Sequence, residues 1–87
     1  MPIKQILVYG TTWCGDTARS RRCLSNLGIN YIWYDIEKDK QACAYVEKMN
    51  NGNRSVPTIV FPDGTILVEP SDERLQGKLA ELRQNKA

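Results

Sequence analysis

The chain has 87 residues, 12 basic and 10 acidic side chains, a formal charge of +2, no histidine and three cysteines. That length supports one domain over residues 1–87 and excludes a second independent core. The near balance of charge excludes a polybasic surface for nucleic acid or membrane, and the longest apolar runs, Ile6-Leu7-Val8-Tyr9 and Ile59-Val60-Phe61, fall far short of the ~20 residues of a transmembrane helix.

The first residues, Met1-Pro2-Ile3-Lys4-Gln5, lack the basic head and apolar core of a secretory signal, so a cytoplasmic location is expected. An odd cysteine count agrees with reduced thiols rather than a disulfide framework. Nothing in the composition asks for a second copy of the chain, and a monomer is expected. Three cysteines without histidine, none at paired ligand spacing, make a poor zinc site.

Residues Ile3 to Tyr9 read as a strand buried on both faces, closed by Gly10. From Cys14, the residues Ala18, Cys23, Leu24 and Leu27 recur at roughly helical spacing, with Arg19, Arg21 and Arg22 between them and Gly28 as a stop. Tyr31 to Ile36 is a second strand. A second helix follows Glu37-Lys38-Asp39-Lys40, with Ala42, Tyr45, Val46 and Met49 as its apolar stripe and Asn50-Asn51-Gly52-Asn53 as its exit.

Thr58 to Phe61 and Thr65 to Val68 form a hairpin around Pro62-Asp63-Gly64. Ser71 is a good N-cap for a last helix with Leu75, Leu79 and Leu82 on its inner face, and Arg83 to Ala87 should fray. The order is β-α-β-α-β-β-α. A right-handed β-α-β unit demands a parallel pair and the hairpin an antiparallel one, so the expected fold is α/β, with a four-stranded mixed sheet and helices on both faces.

Cys14 lies where the first strand gives way to the first helix. Backbone N–H groups without intrahelical acceptors, and the positive end of the helix, favour its thiolate, the reactive form in thiol-disulfide exchange. An inert buried thiol is the alternative, but the neighbours Thr11, Thr12, Gly15 and Asp16 argue against a packed apolar setting. Trp13 reads equally as a core aromatic or as a contact for whatever approaches Cys14.

Trp13-Cys14-Gly15 resembles the start of the thioredoxin and glutaredoxin active-site loop, and Arg54-Ser55-Val56-Pro57-Thr58 resembles the loop that carries a cis-proline in those families. Thr11-Thr12, Asn51-Gly52-Asn53-Arg54 and Glu69-Pro70-Ser71-Asp72 extend the likeness to the mycoredoxin branch of glutaredoxin-like proteins. The resemblance implies a thioredoxin fold of the glutaredoxin type and a thiol-disulfide oxidoreductase with Cys14 as nucleophile. It implies a substrate surface around Trp13, Gly15, Asp16, Val56, Pro57, Ser71 and Asp72. No bound cofactor is implied. The co-substrate would be a low-molecular-weight thiol, glutathione or mycothiol, and the partners mixed-disulfide proteins, with a thioredoxin-reductase-type donor as another electron source.

The chain departs from that pattern at two places. Position 17 is threonine where dithiol members carry a resolving cysteine, so Thr17 is expected either to donate its hydroxyl to the Cys14 sulfur or to act as a plain helix residue. Cys23, nine residues beyond Cys14, lies ~13.5 Å along a helix and about half a turn away, too far for a disulfide; it reads as a small core residue. Cys43 reads as structural or as a spectator.

A monothiol route, in which an external thiol frees Cys14, is the reading that remains. Asp16 stands where glutaredoxins show an aromatic or apolar residue, and its charge opposes a second anion beside it. Arg19 can offset that charge. Glutathione-binding members also carry a lysine before the cysteine, where this chain has Gly10-Thr11-Thr12. The competing functions are an iron-sulfur cluster carrier ligated through Cys14, and a non-catalytic protein that binds peptides on the proline loop.

Overall fold

A computed structural model describes residues 5–84. Seven elements follow in the predicted order: β1 (Ile6–Gly10), α1 (Gly15–Asn26), β2 (Tyr31–Asp35), α2 (Lys40–Met49), β3 (Thr58–Val60), β4 (Ile66–Val68) and α3 (Asp72–Gln84). The sheet runs β2-β1-β3-β4, with β1 parallel to β2 and antiparallel to β3, and β3 antiparallel to β4. This is the thioredoxin fold.

Alternation along the strands builds a core on each face of the sheet. Ile6, Val8 and Ile59 point to one side, where they meet Cys23 and Leu24 of α1 and Leu75 and Leu79 of α3. Tyr9 points to the other side and packs with Ile36, Ala42 and Val46, with Leu7 and Val60 against that cluster. Tyr9 stacks on Tyr34 at 4.7 Å and on Tyr45 at 5.0 Å between ring centres. Burial, followed by the neighbouring tyrosines and Asp39, pushes the Tyr9 phenol up to about 12, so it stays neutral.

The helix ends follow local chemistry. Asp39 caps α2, its carboxylate accepting from the Ala42 N–H at 3.0 Å, and Ser71 caps α3, its hydroxyl accepting from the Arg74 N–H at 3.1 Å. Gly28 lies at φ +71 and closes α1, and Gly64 lies at φ +89 in the hairpin, conformations costly for residues with a Cβ.

Several details differ from the sequence expectation. Ile3 and Lys4, the predicted start of β1, lie outside the described residues, as do residues 85–87 of the tail predicted to fray; Arg83 and Gln84 are helical. The inner face of α1 is not the apolar stripe. Ala18 and Leu27 are exposed, while Thr17 and Ser20 are buried beside Cys23 and Leu24. The reason is steric: α1 lies so close to β1 that a Cβ on Gly10 would stand 2.6 Å from Cγ2 of Thr17, and only small side chains fit there. Met49, placed on the stripe of α2, is also exposed.

At the far end of the sheet, Lys78 of α3 holds the β3–β4 turn. Its ammonium donates to Asp63 at 2.6 Å, to Thr65 at 3.0 Å and to Glu81 at 2.9 Å. The Lys78 hydrogen bond, aided by the Thr65 N–H and hydroxyl, lowers the Asp63 carboxyl to about 2. A carboxyl at about 3.9 in the unfolded chain then binds protons before the folded one does, so the contribution is full above about pH 4 and lost as pH falls towards about 2. Urea unfolding of wild type and Asp63→Asn across that range should show a stability gap at neutral pH that closes near pH 2; a gap independent of pH would contradict the ion pair.

Candidate functional site

The parallel β1–α1 connection delivers Cys14 to the carboxyl-terminal end of β1. Cys14 is the N-cap of α1, with extended backbone (φ −80°, ψ 124°), and its carbonyl accepts the first helical bond from Ala18 N–H at 3.0 Å. The orphan N–H groups of the first turn therefore lie beside the sulfur. Cys14 is partly exposed, and its thiol faces the Val56 carbonyl, Sγ to oxygen 3.8 Å, across a gap of 42 residues in sequence.

The Val56–Pro57 peptide is cis, as the motif implied. Pro57 has no N–H, and its carbonyl is already taken by the Glu69 N–H at 2.8 Å. Pro57 therefore supplies no backbone donor. Val56 carries both: its carbonyl accepts the Cys14 thiol, and its N–H donates to nothing among the described residues.

Of the two expectations for Thr17, the structure agrees with the plain helix residue. Its side chain is buried against Gly10, and its hydroxyl bonds to nothing among the described residues, the Cys14 sulfur included. The cause is the same close approach of α1 to β1, which turns the position-17 side chain under the helix. Trp13 is settled the other way: it is 71% exposed, not a core aromatic. Gly15, the first residue of α1, is exposed and leaves the Cys14 side of the helix start unobstructed.

Asp16 and Asp72 share Arg19 at one corner, with Ser71 preceding Asp72 in the chain. The Arg19 guanidinium donates to Asp16 at 2.9 Å and to the Pro70 carbonyl at 3.4 Å, and its Nε lies 3.6 Å from Asp72. The other arginines of α1 separate: Arg21 stacks on the Trp33 ring at 3.9 Å and donates to the Tyr31 hydroxyl at 3.0 Å, while Arg22 is exposed. They do not form one basic face.

A groove of about 720 Å³ opens beside the site between the strand ends and α2. Trp13, Thr11 and Val56 line its Cys14 side; Lys40, Cys43, Glu47 and Arg54 line the far side, with Ile36, Glu37 and Ala44. Arg54 donates to Glu47 at 2.8 Å, and that bond, followed by the Cys43 sulfur, raises the guanidinium above its ordinary value. Sequence reading did not single out Lys40 or Glu47, took Arg54 only as part of the proline-loop motif, and left Cys43 structural or a spectator. The signal available was the i, i+3, i+7 spacing of Lys40, Cys43 and Glu47, which places them on one face of α2. Cys23 is buried in the opposite core, as expected.

The glutaredoxin family profile matches residues 6–66. The chain belongs to the glutaredoxin family. A Mycobacterium tuberculosis protein described as a glutaredoxin is 38% identical over 77 residues, covering 88% of this chain and 92% of that one. Mycoredoxin 1 of Corynebacterium glutamicum is 32% identical over 81 residues, covering 92% and 99%. Among solved structures, a thioredoxin-like protein superposes with a TM-score of 0.73 at 26% identity, covering 84% of this chain and 97% of its own. The glutaredoxin of Archaeoglobus fulgidus shares the fold, with a TM-score of 0.70 at 24% identity over 86% of this chain and 85% of its own.

The Thr17 contact yields two stability expectations. Gly10→Ala should cost about 1–3 kcal/mol by overpacking against Thr17. Thr17→Val, which removes a buried hydroxyl without a partner, should leave stability within about 1 kcal/mol of wild type or raise it. Urea titration of both variants checks this; a large loss in Thr17→Val would mean that the hydroxyl has a partner in solution.

Proposed function

We propose that the chain reduces mixed disulfides between proteins and a small thiol by a route that uses one protein cysteine, Cys14. The observation that carries this reading is the pairing of a Cys14 thiol at the α1 N-terminus with the Val56 backbone, while position 17 supplies only a buried threonine. Membership of the glutaredoxin family supports the reaction class.

The Cys14 thiolate attacks the small-thiol sulfur of the mixed disulfide in line with the S–S bond. A Cys14–small-thiol disulfide forms, and the protein sulfur leaves as a thiolate and takes a proton from solvent. A second small-thiol anion then attacks the small-thiol sulfur bound to Cys14; the oxidised small-thiol dimer departs and Cys14 is regenerated. Over the cycle one free small thiol is consumed, the other half of the oxidised dimer comes from the mixed disulfide, the protein thiol is released reduced, and no second cysteine of the chain takes part. The Val56 N–H, without a partner among the described residues, and the Val56 carbonyl, released once Cys14 reacts as a thiolate, suit one residue of a substrate backbone laid antiparallel beside the loop.

The groove supports mycothiol over glutathione as the small thiol. Lys40 and Arg54 are balanced there by Glu37 and Glu47, and Arg54 is already bonded to Glu47. Glutathione brings two carboxylates and finds one groove cation without an ion-pair partner among the described residues, Lys40, whereas a sugar-linked thiol brings hydroxyls that accept and donate without a net charge. The name of the Corynebacterium relative agrees with this choice. Trp13, Gly15 and Val56 would frame the thiol sulfur, with Asp16, Ser71 and Asp72 on the outer side. The reaction needs reduced thiols and so suits the cytoplasm.

The test is turnover of one protein substrate carrying either small thiol, with a thioredoxin-reductase system as a third electron source. Cys14→Ser should abolish activity, Thr17→Val should keep it within a few-fold of wild type, and kcat/KM should favour the mycothiol adduct about tenfold, a difference of about 1.4 kcal/mol. Equal inactivity of wild type and Cys14→Ser with all three donors would remove the enzymatic reading, and a preference for glutathione would remove only the choice of thiol.

A further inference from the structure

We infer that Arg19 sets the charge selectivity of the approach to Cys14, offsetting part of the charge of Asp16 and Asp72 so that anionic disulfides are turned away less. This rests on the reading of Cys14 as the nucleophile. Its chemistry is that of a specificity-determining residue: Arg19 need not touch the reacting sulfurs to act.

Three contacts define its place. The Arg19 guanidinium reaches Asp16, two residues beyond Cys14 on the same helix, then Asp72 and the Pro70 carbonyl at the start of α3. Asp16 and Asp72 each lie in the first turn of their helix, where the backbone N–H groups already favour a carboxylate. Neither acid needs Arg19 to sit where it does. The side chains of all three are well exposed, at 39, 45 and 48% for Arg19, Asp16 and Asp72, and ion pairs of that kind contribute little to stability.

What Arg19 does change is the local field. With it, the group formed by Arg19, Asp16 and Asp72 carries one net negative charge; without it, the two acids carry two. One Asp72 carboxylate oxygen is buried and hydrogen-bonded to nothing among the described residues, so Arg19 at 3.6 Å is the cation nearest to satisfying it. The neighbouring charges do not take over this role. Glu69, Glu73 and Arg74 are exposed around the start of α3, and Arg22 is exposed on the outer face of α1. Thiol-disulfide exchange spreads negative charge over three sulfurs as the bond changes hands, and an entering disulfide with an acidic flank adds more. A doubly negative corner opposes both.

The field at the sulfur can be read without turnover. Iodoacetate and iodoacetamide alkylate the same thiolate, each forming a carbon–sulfur bond and releasing iodide, and differ by one negative charge. At one pH the ratio of their rates cancels the thiolate fraction and reports the local potential. Mass spectrometry of the Cys14 peptide separates this signal from Cys23 and Cys43. Arg19→Gln should lower the iodoacetate-to-iodoacetamide ratio at Cys14 about threefold at low ionic strength, the order of effect of removing one unit charge in water. Arg19→Lys should hold the ratio near wild type, Asp16→Asn and Asp72→Asn should each raise it, and 1 M salt should bring all variants together.

In turnover, Arg19→Gln should shift the kcat/KM ratio of peptide mixed disulfides with Asp beside the cysteine over those with Lys by about threefold towards Lys. An unchanged ratio in Arg19→Gln overturns the inference. If that variant fails to fold, an unchanged ratio in both Asp→Asn variants overturns it. Inactive wild type with normal alkylation shifts would sink the enzymatic reading and leave the charge effect standing.

Discussion

The close approach of α1 to β1, side chain on bare backbone at Gly10 and Thr17, determines the rest of the site. Because the helix starts so near the strand end, its first N–H groups open towards Cys14, and the Val56 loop, arriving from between α2 and β3, stands directly opposite. The same approach decides which side chains α1 can bury. Threonine and serine occupy places that a larger apolar residue would fill in a more distant helix. The chain accepts buried hydroxyls at Thr17 and Ser20 that have no partner among the described residues as the cost of a tight strand-to-helix junction.

Much of the architecture was readable in sequence because local and long-range signals agree. Gly28, Asp39, Gly64 and Ser71 end or begin elements for reasons of backbone geometry and capping, and alternation on β1 divides its side chains between two cores. Cys14 and the Val56-Pro57 pair were legible as a joint motif. The inner face of α1 was not, since hydrophobic periodicity ranks Ala18 and Leu27 above Thr17 and Ser20, and nothing local to α1 reveals how near the helix passes to a glycine seven positions before Thr17. The groove residues of α2 were hidden for a different reason. Lys40, Glu47 and Arg54 look like ordinary solvated charges until the fold sets them opposite Trp13 and Val56.

Charge around Cys14 is arranged in two separate compartments. On the groove side, Lys40 and Arg54 are matched by Glu37 and Glu47; on the outer side, Arg19 is shared by Asp16 and Asp72. Sequence spacing already pairs Asp16 with Arg19, and the fold adds Asp72 to that pair. In the fold Asp16 is tied to a cation that also joins two helix starts, so its influence on the sulfur depends on a residue one turn further along α1 and on the opening of α3.

Trp13 adds a property of another kind. Its indole stands in water at the rim of the groove, while Trp33, the second tryptophan of the chain, is covered by the Arg21 guanidinium on the far side of α1. One tryptophan therefore sees whatever enters the groove and the other does not. The emission of the protein carries its own internal reference, and a molecule seated against Val56 and Trp13 announces itself optically without any label.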